Sequence, residues 1–96
     1  MIRYKMKDTE LGKMLFLCDE NLIGKSLIDK KKNISLKIDE NFYVERGSEE
    51  LIESLVKEAS FINATGKKSV NIVKKFIKIK SILYINKIPH VQIYEI

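Results

Sequence analysis

Ile2, Tyr4 and Met6 alternate with Arg3, Lys5 and Lys7, and a period of two is the mark of a strand with one buried face. After the polar turn Lys7–Gly12, the run Met14-Leu15-Phe16-Leu17-Cys18 is apolar at every position, as a central strand would be. The two predict an opening antiparallel pair. Asp19–Gly24 reads as one helical turn, with Asp19 capping it and Gly24 ending it in the left-handed conformation. Ile34, Leu36 and Ile38 alternate with Ser35 and Lys37, a third strand after the basic loop Lys30-Lys31-Lys32-Asn33.

Ser48 is placed to cap a helix whose first turn carries Glu49 and Glu50 against the positive end of the helix dipole. Leu51, Ile52, Leu55, Val56 and Ala59 make its apolar stripe, and Glu53 with Lys57 forms an i,i+4 pair on the outer face. A second helix is predicted from Thr65 or Gly66 to about Ile77, with Val70, Val73, Phe76 and Ile77 inward. Ser81–Ile85 and His90–Ile96 are strand-like, and Pro89, which has no N–H, belongs at a turn or strand start. The fold class is therefore α+β: a small antiparallel or mixed sheet of about five strands with a two-helix hairpin on one face.

Residues 1–96 are expected to form a single domain, since a chain of this length has one core. With 45% hydrophobic and 32% charged residues the chain is globular in composition and not disordered. Met14–Cys18 is far shorter than the roughly 20 apolar residues of a membrane helix, and the first residues carry no secretory apolar region. Cys18 is the only cysteine and His90 the only histidine, which excludes an internal disulfide and a two-histidine metal site. No metal, no cofactor, no membrane partner and a cytoplasmic location are the expectations.

The net charge of +5 is unevenly spread. Residues 1–58 hold 11 basic and 12 acidic side chains; residues 59–96 hold seven lysines against Glu95 alone. A neutral half joined to a basic half is the pattern of a nucleic-acid surface, although a Lys-rich composition produces solvated charge without a partner.

Four constellations are candidates. In Asn63-Ala64-Thr65-Gly66-Lys67-Lys68-Ser69, free N–H groups at a helix start and two lysines suit a phosphate, so Asn63 and Gly66 are candidate phosphate contacts. It is no nucleotide loop, because Phe61 stands where that pattern needs Gly. Lys67, Asn71, Lys74 and Lys78 fall on one helix face with Lys68 and Lys75 beside them, a basic ridge roughly 16 Å long. His90, Gln92 and Tyr94 alternate on one face of the last strand, where they could hydrogen-bond and stack on an unpaired base. Last, Cys18 before a helical turn, Lys25 just after Gly24, and a Cys18–His90 pairing are the features an enzyme would use, with a small core cysteine as the plain alternative.

Asp19-Glu20 followed by Leu22-Ile23-Gly24-Lys25, then Asn63-Ala64-Thr65-Gly66, then Ile88-Pro89-His90-Val91-Gln92-Ile93, occur in that order. With these motifs the whole chain resembles the archaeal family of domain of unknown function 424. The resemblance implies an archaeal cytosol and a link to translation through RNA. Where relatives tend to have Gly before Val-Pro-His, Lys87 precedes Ile88-Pro89-His90, so the turn is expected to differ.

The functional expectation is an RNA-binding accessory protein linked to translation. Its nucleic-acid contacts would be Lys67, Lys68, Lys74, Lys75, Lys78, His90, Gln92 and Tyr94, with Lys25, Asn63 and Gly66 as phosphate ligands. Translation-related proteins are further expected partners, and no catalytic residue is assigned. The alternative is a protein–protein module, or a small subunit of a larger complex, docking through its sheet or the turn Leu22-Ile23.

Overall fold

In the computed structural model, which describes residues 1–94, the opening alternation becomes the hairpin β1 (Ile2–Thr9) and β2 (Gly12–Asp19), in register from Ile2 opposite Asp19 to Thr9 opposite Gly12. A single 3-10 turn, Glu20–Leu22, leads into a second hairpin of β3 (Ser26–Asp29) and β4 (Ile34–Lys37). Then come β5 (Glu45–Gly47), α1 (Glu49–Glu58), β6 (Phe61–Thr65), α2 (Lys67–Lys74), β7 (Leu83–Ile85) and β8 (Ile88–Ile93). The main sheet runs β5-β1-β2-β6-β8-β7, with β2 and β6 parallel and the other pairs antiparallel. The fold is α+β, with a mixed sheet of six strands where about five were expected. Residues 95 and 96, the end of the expected last strand, lie outside the described residues.

Each face of the sheet has its own core. Leu15 and Leu17 of β2, Ile62 and Ala64 of β6 and Val91 of β8 pack against Ile52 and Val56 of α1 and Val70, Ile72 and Val73 of α2. On the other face Cys18 and Ile85 meet Leu22, Leu27, Ile38 and Tyr43, so the β3–β4 hairpin and the loop after it cover that end of the sheet. Among the described residues no helix is long and apolar enough to cross a membrane.

α1 follows its sequence signals. Ser48 Oγ accepts the Leu51 N–H at 3.2 Å, and Ile52, Val56 and Ala59 are buried. Leu51, expected on the core stripe, is exposed. Glu53 pairs with Lys75 across the helices at 2.7 Å and not with Lys57, whose ammonium lies 5.0 Å from the Phe76 ring centre.

α2 stops three residues before the expected Ile77. The N–H groups of Lys75 and Phe76 donate to Ile72 and Val73, a tighter spacing that closes the helix. Ile72 is buried in place of Phe76, which is 38% exposed, and Ile77, Ile79 and Ile82 follow the core as irregular chain. The strand expected over Ser81–Ile85 begins at Leu83. The helices touch, but β6 runs between them in the chain and enters the sheet.

Candidate nucleic-acid interface

The start of α2, the expected phosphate site, is already filled. Asp19 ends β2 with its side chain on the helix-covered face, and its carboxylate accepts Lys68 N–H at 3.0 Å, Ser69 N–H at 2.8 Å and Ser69 Oγ–H at 2.8 Å. Asp19 therefore caps α2 and not the 3-10 turn that follows it, where it makes no side-chain cap. The Gly66 N–H is bound too, donating to Pro89 O at 2.9 Å. A phosphate would have to displace a buried carboxylate from its donors, so Gly66 has no free donor here. The open crevice beside it, about 590 Å³, carries Lys67 and Lys68 but also Asp19 and Glu20 on its walls. That charge is mixed and suits a polyanion poorly.

The lysine ridge is shorter than the sequence spacing implied. α2 spans eight residues, roughly 12 Å at about 1.5 Å per residue, and Lys78 lies beyond it. Lys75 is held by Glu49 at 2.9 Å and Glu53 at 2.7 Å, bonds that raise its pKa and balance its charge. Lys67, Lys68 and Lys74 remain exposed on α2. They stand on the side of the sheet opposite His90, Gln92 and Tyr94, because α2 packs on Val91 while His90 and Gln92 alternate with it. The two halves of the expected RNA surface are thus back to back.

The face away from the helices holds the more coherent arrangement. Pairing registers put Lys5, Phe16, Asn63 and Gln92 in one row across β1, β2, β6 and β8. Three strand steps of about 4.8 Å make that row roughly 14 Å long. The neighbouring row runs Lys7, Met14, Phe61, with the Tyr94 ring 6.1 Å from that of Phe61. Phe16 stacks edge-on against Phe42 at 5.0 Å, and Lys7 Nζ lies 5.4 Å from the Phe42 ring. A shallow depression of about 60 Å³ lies among Met14, Phe16, Phe61, Asn63, Gln92 and Tyr94.

A hydrogen-bond chain orders the polar side chains of this face. Tyr94 Oη–H donates to Gln92 Oε1 at 3.0 Å, Gln92 Nε2–H donates to His90 Nε2 at 3.1 Å, and His90 Nδ1–H donates to Thr65 Oγ1 at 2.8 Å. The amide leaves Nε2 of His90 as the acceptor, so the ring is neutral with its proton on Nδ1. Burial, with the ring's residue 8% exposed, lowers the His90 pKa and agrees with the neutral form. Asn63, beside Gln92 in the row, makes no side-chain hydrogen bond among the described residues and has its amide available. Sequence reasoning placed His90, Gln92 and Tyr94 on one face, as the structure has them, but read Asn63 as a helix-start ligand. It did not name Lys5, Lys7, Phe16 and Phe61, although the alternation of Lys5 and Lys7 with Tyr4 and Met6 had put the lysines on the face of the β1–β2 hairpin away from its core.

The enzyme-like residues do not assemble into a nucleophilic site. Cys18 is fully buried, and desolvation first, then the Asp19 charge, push its thiol pKa up to about 12. It shares a row with His90, but Thr65 stands between them and holds the imidazole. Lys25 is exposed at the foot of β3, bonded through its backbone to Leu22 and Ile38. No hydrogen bond joins it to Asn63 or Gly66 among the described residues. Leu22, named for protein docking, is buried under the hairpin, and Ile23 packs against the same core.

Among curated proteins, none matches the chain. Among solved structures, the chain is similar to an uncharacterized conserved protein from Methanopyrus kandleri, an archaeon, at 27% identity and a TM-score of 0.76, over 98% of this chain and 90% of that one. The family model described as "Protein of unknown function (DUF424)" matches residues 6–96, and the chain belongs to that family.

Proposed function

We propose that the protein is an RNA-binding accessory protein that takes single-stranded segments on the helix-free face of its sheet, over the part that the β3–β4 hairpin and the loop after it leave open. The observation that carries this reading is the pair of adjacent rows, Lys5-Phe16-Asn63-Gln92 and Lys7-Met14-Phe61, with Tyr94 beside Phe61. Aromatic rings on a sheet stack on unpaired bases, amides reach base edges, and lysines at the margin attract phosphates. A duplex offers no exposed base plane to such a surface, so single strands are the favoured ligand. Transfer and ribosomal RNAs, the RNAs of translation, are the first to test.

Base stacking on an aromatic side chain contributes about 1–3 kcal/mol per base. Tyr94→Ala is therefore expected to weaken binding of a single-stranded RNA by roughly 5- to 150-fold. Tyr94 is 63% exposed, so the fold is spared. Lys67→Glu with Lys74→Glu, on the far side of the sheet, should change binding far less than Lys5→Glu with Lys7→Glu. Fluorescence anisotropy on single- and double-stranded oligonucleotides reads both. Equal affinity for the two, or binding indifferent to Tyr94 and Lys7, would remove the sheet from the mechanism.

A further inference from the structure

Asp29 ties together two hairpin tips that lie 57 residues apart in the chain. Its Oδ2 accepts the Asn86 N–H at 2.9 Å in the β7–β8 turn, and its Oδ1 accepts the Lys32 N–H at 3.1 Å in the β3–β4 turn. Those two bonds, the first the larger, hold the Asp29 pKa below the usual carboxylate range, so the tie is an ionised one. A second tie runs from Lys32 Nζ to the Tyr84 carbonyl. With the tips fixed side by side, Lys30, Lys31 and Lys87 are gathered, all exposed, around a concavity of about 560 Å³ that also includes Ile28 and Asn86.

The backbone adds a second observation. Asn86 and Lys87 both adopt left-handed dihedrals, with φ of 47° and 72°, in a two-residue turn between β7 and β8. A turn of that kind favours glycine, and a lysine there carries strain of about 1 kcal/mol. The tip thus holds a cation in a position where glycine would fold more easily.

Two grooves on the sheet face lead towards this concavity. A groove of about 220 Å³ brings Phe16, Asn63 and Gln92 together with Leu36 and Lys37 of β4. Another, of about 420 Å³, runs from His90 and Gln92 along Leu36 to Ile34 and Ile85. Ile34 is the register partner of Asp29, and Ile85 precedes Asn86. The grooves beside the proposed base-stacking rows therefore end next to the two turns that carry the three exposed lysines.

We infer that the joined tips of the β3–β4 and β7–β8 hairpins form a phosphate clamp that grips the backbone of a nucleic-acid strand leaving the sheet face. The inference rests on the proposed function and adds a second contact region to it. Asp29 is the positioning residue, and Lys30, Lys31 and Lys87 meet the phosphates. A simple charge effect and a built clamp make opposite predictions for Asp29→Ala: deleting an acidic residue strengthens polyanion binding by charge alone, whereas untying the tips weakens it.

The test is anisotropy with single-stranded RNA across a salt series, on folded variants checked by circular dichroism. Asp29→Ala is expected to weaken binding several-fold. Lys30→Glu, Lys31→Glu and Lys87→Glu together are expected to flatten the log–log salt slope by about 2, at about 0.7 per phosphate contact. The charge-matched Lys67/Lys74/Lys78→Glu variant should leave the slope unchanged. If Asp29→Ala binds as tightly as the wild type or more tightly, the clamp is refuted, and sensitivity to Tyr94→Ala in the same assay would leave the sheet-face reading intact. If the tip variants abolish binding while Tyr94→Ala does nothing, the clamp stands and the sheet-face reading falls. Absence of binding by the wild-type protein overturns both.

Discussion

Removing the Asp19 carboxylate tests the contact that ties the start of α2 to the end of β2. Asp19→Ala deletes three hydrogen bonds at once and leaves Ser69, which is fully buried, with an unpaired hydroxyl and N–H. Loss of a helix N-cap is worth about 0.5–2 kcal/mol, and a buried donor left unsatisfied adds about 1–3 kcal/mol. These terms overlap, so a total of about 3 kcal/mol is expected, a large share of the 5–15 kcal/mol typical of a domain. At roughly 4–8 °C per kcal/mol for a domain of this size, the melting temperature should fall by roughly 12–24 °C.

Gly66 supplies the second arm of a double-mutant cycle with Asp19. Its φ of 109° and ψ of 155° belong to a region that is essentially glycine-only, and a Cβ there would lie within 2.5 Å of both Asp19 carboxylate oxygens. Gly66→Ala should destabilise by at least about 2 kcal/mol, since backbone strain of about 1–3 kcal/mol is joined by the clash. In Asp19→Ala/Gly66→Ala the clash is gone while the backbone strain stays. The double variant should therefore be more stable than the sum of the singles by at least about 1 kcal/mol. Urea denaturation followed by circular dichroism measures all four corners. An Asp19→Ala loss below about 0.5 kcal/mol, or strict additivity, would mean that the carboxylate does not hold α2 to the sheet.

His90 supplies a pH dependence whose sign follows from burial: its folded pKa lies below the unfolded value of about 6.5, so the unfolded chain binds more protons in that window. The contribution of the neutral ring is whole above pH 6.5 and is lost as pH falls through the folded pKa; His90→Gln should flatten the change in urea midpoint between pH 7.5 and pH 5.5, and an equal slope in both proteins would count against it. Cys18, buried with a pKa of about 12, should react with a disulfide reagent in the native protein orders of magnitude more slowly than in urea. Prompt native labelling would mean that the hairpin opens readily over it.

The elements legible in the sequence are those whose signal is local. The alternation over Ile2–Lys7, the unbroken apolar run of β2 and the Ser48 cap each settle their element within a few neighbours. β6 was hidden because Phe61-Ile62-Asn63-Ala64-Thr65 hides its buried face behind one isoleucine and one small alanine, and its polar residues read as the approach to a helix. Its partner β2 is parallel and reached only through the second hairpin and α1, so nothing near it in the chain announces the pairing. β3 is four residues long, too short for alternation to stand out.

The site divides along the same line. The spacing of His90, Gln92 and Tyr94 gave their shared face, a local property of one strand. The neighbours that complete the proposed surface for bases come from β1, β2 and β6, and no spacing rule joins Lys5 to Gln92. The helix start failed as an anion site for the converse reason. The rule that N–H groups at a helix N-terminus want a negative charge holds here, and the protein itself satisfies it with a carboxylate 49 residues upstream. A glycine before two lysines therefore has two readings, an open anion site or a place where a carboxylate must pass close to the backbone. The missing Cβ at Gly66, facing the Asp19 oxygens, decides for the second. The charge that sequence reasoning assigned to α2 is thereby detached from the helix dipole, and the proposed polyanion contacts shift to the lysines beside the half-buried rings of the sheet and at the joined hairpin tips.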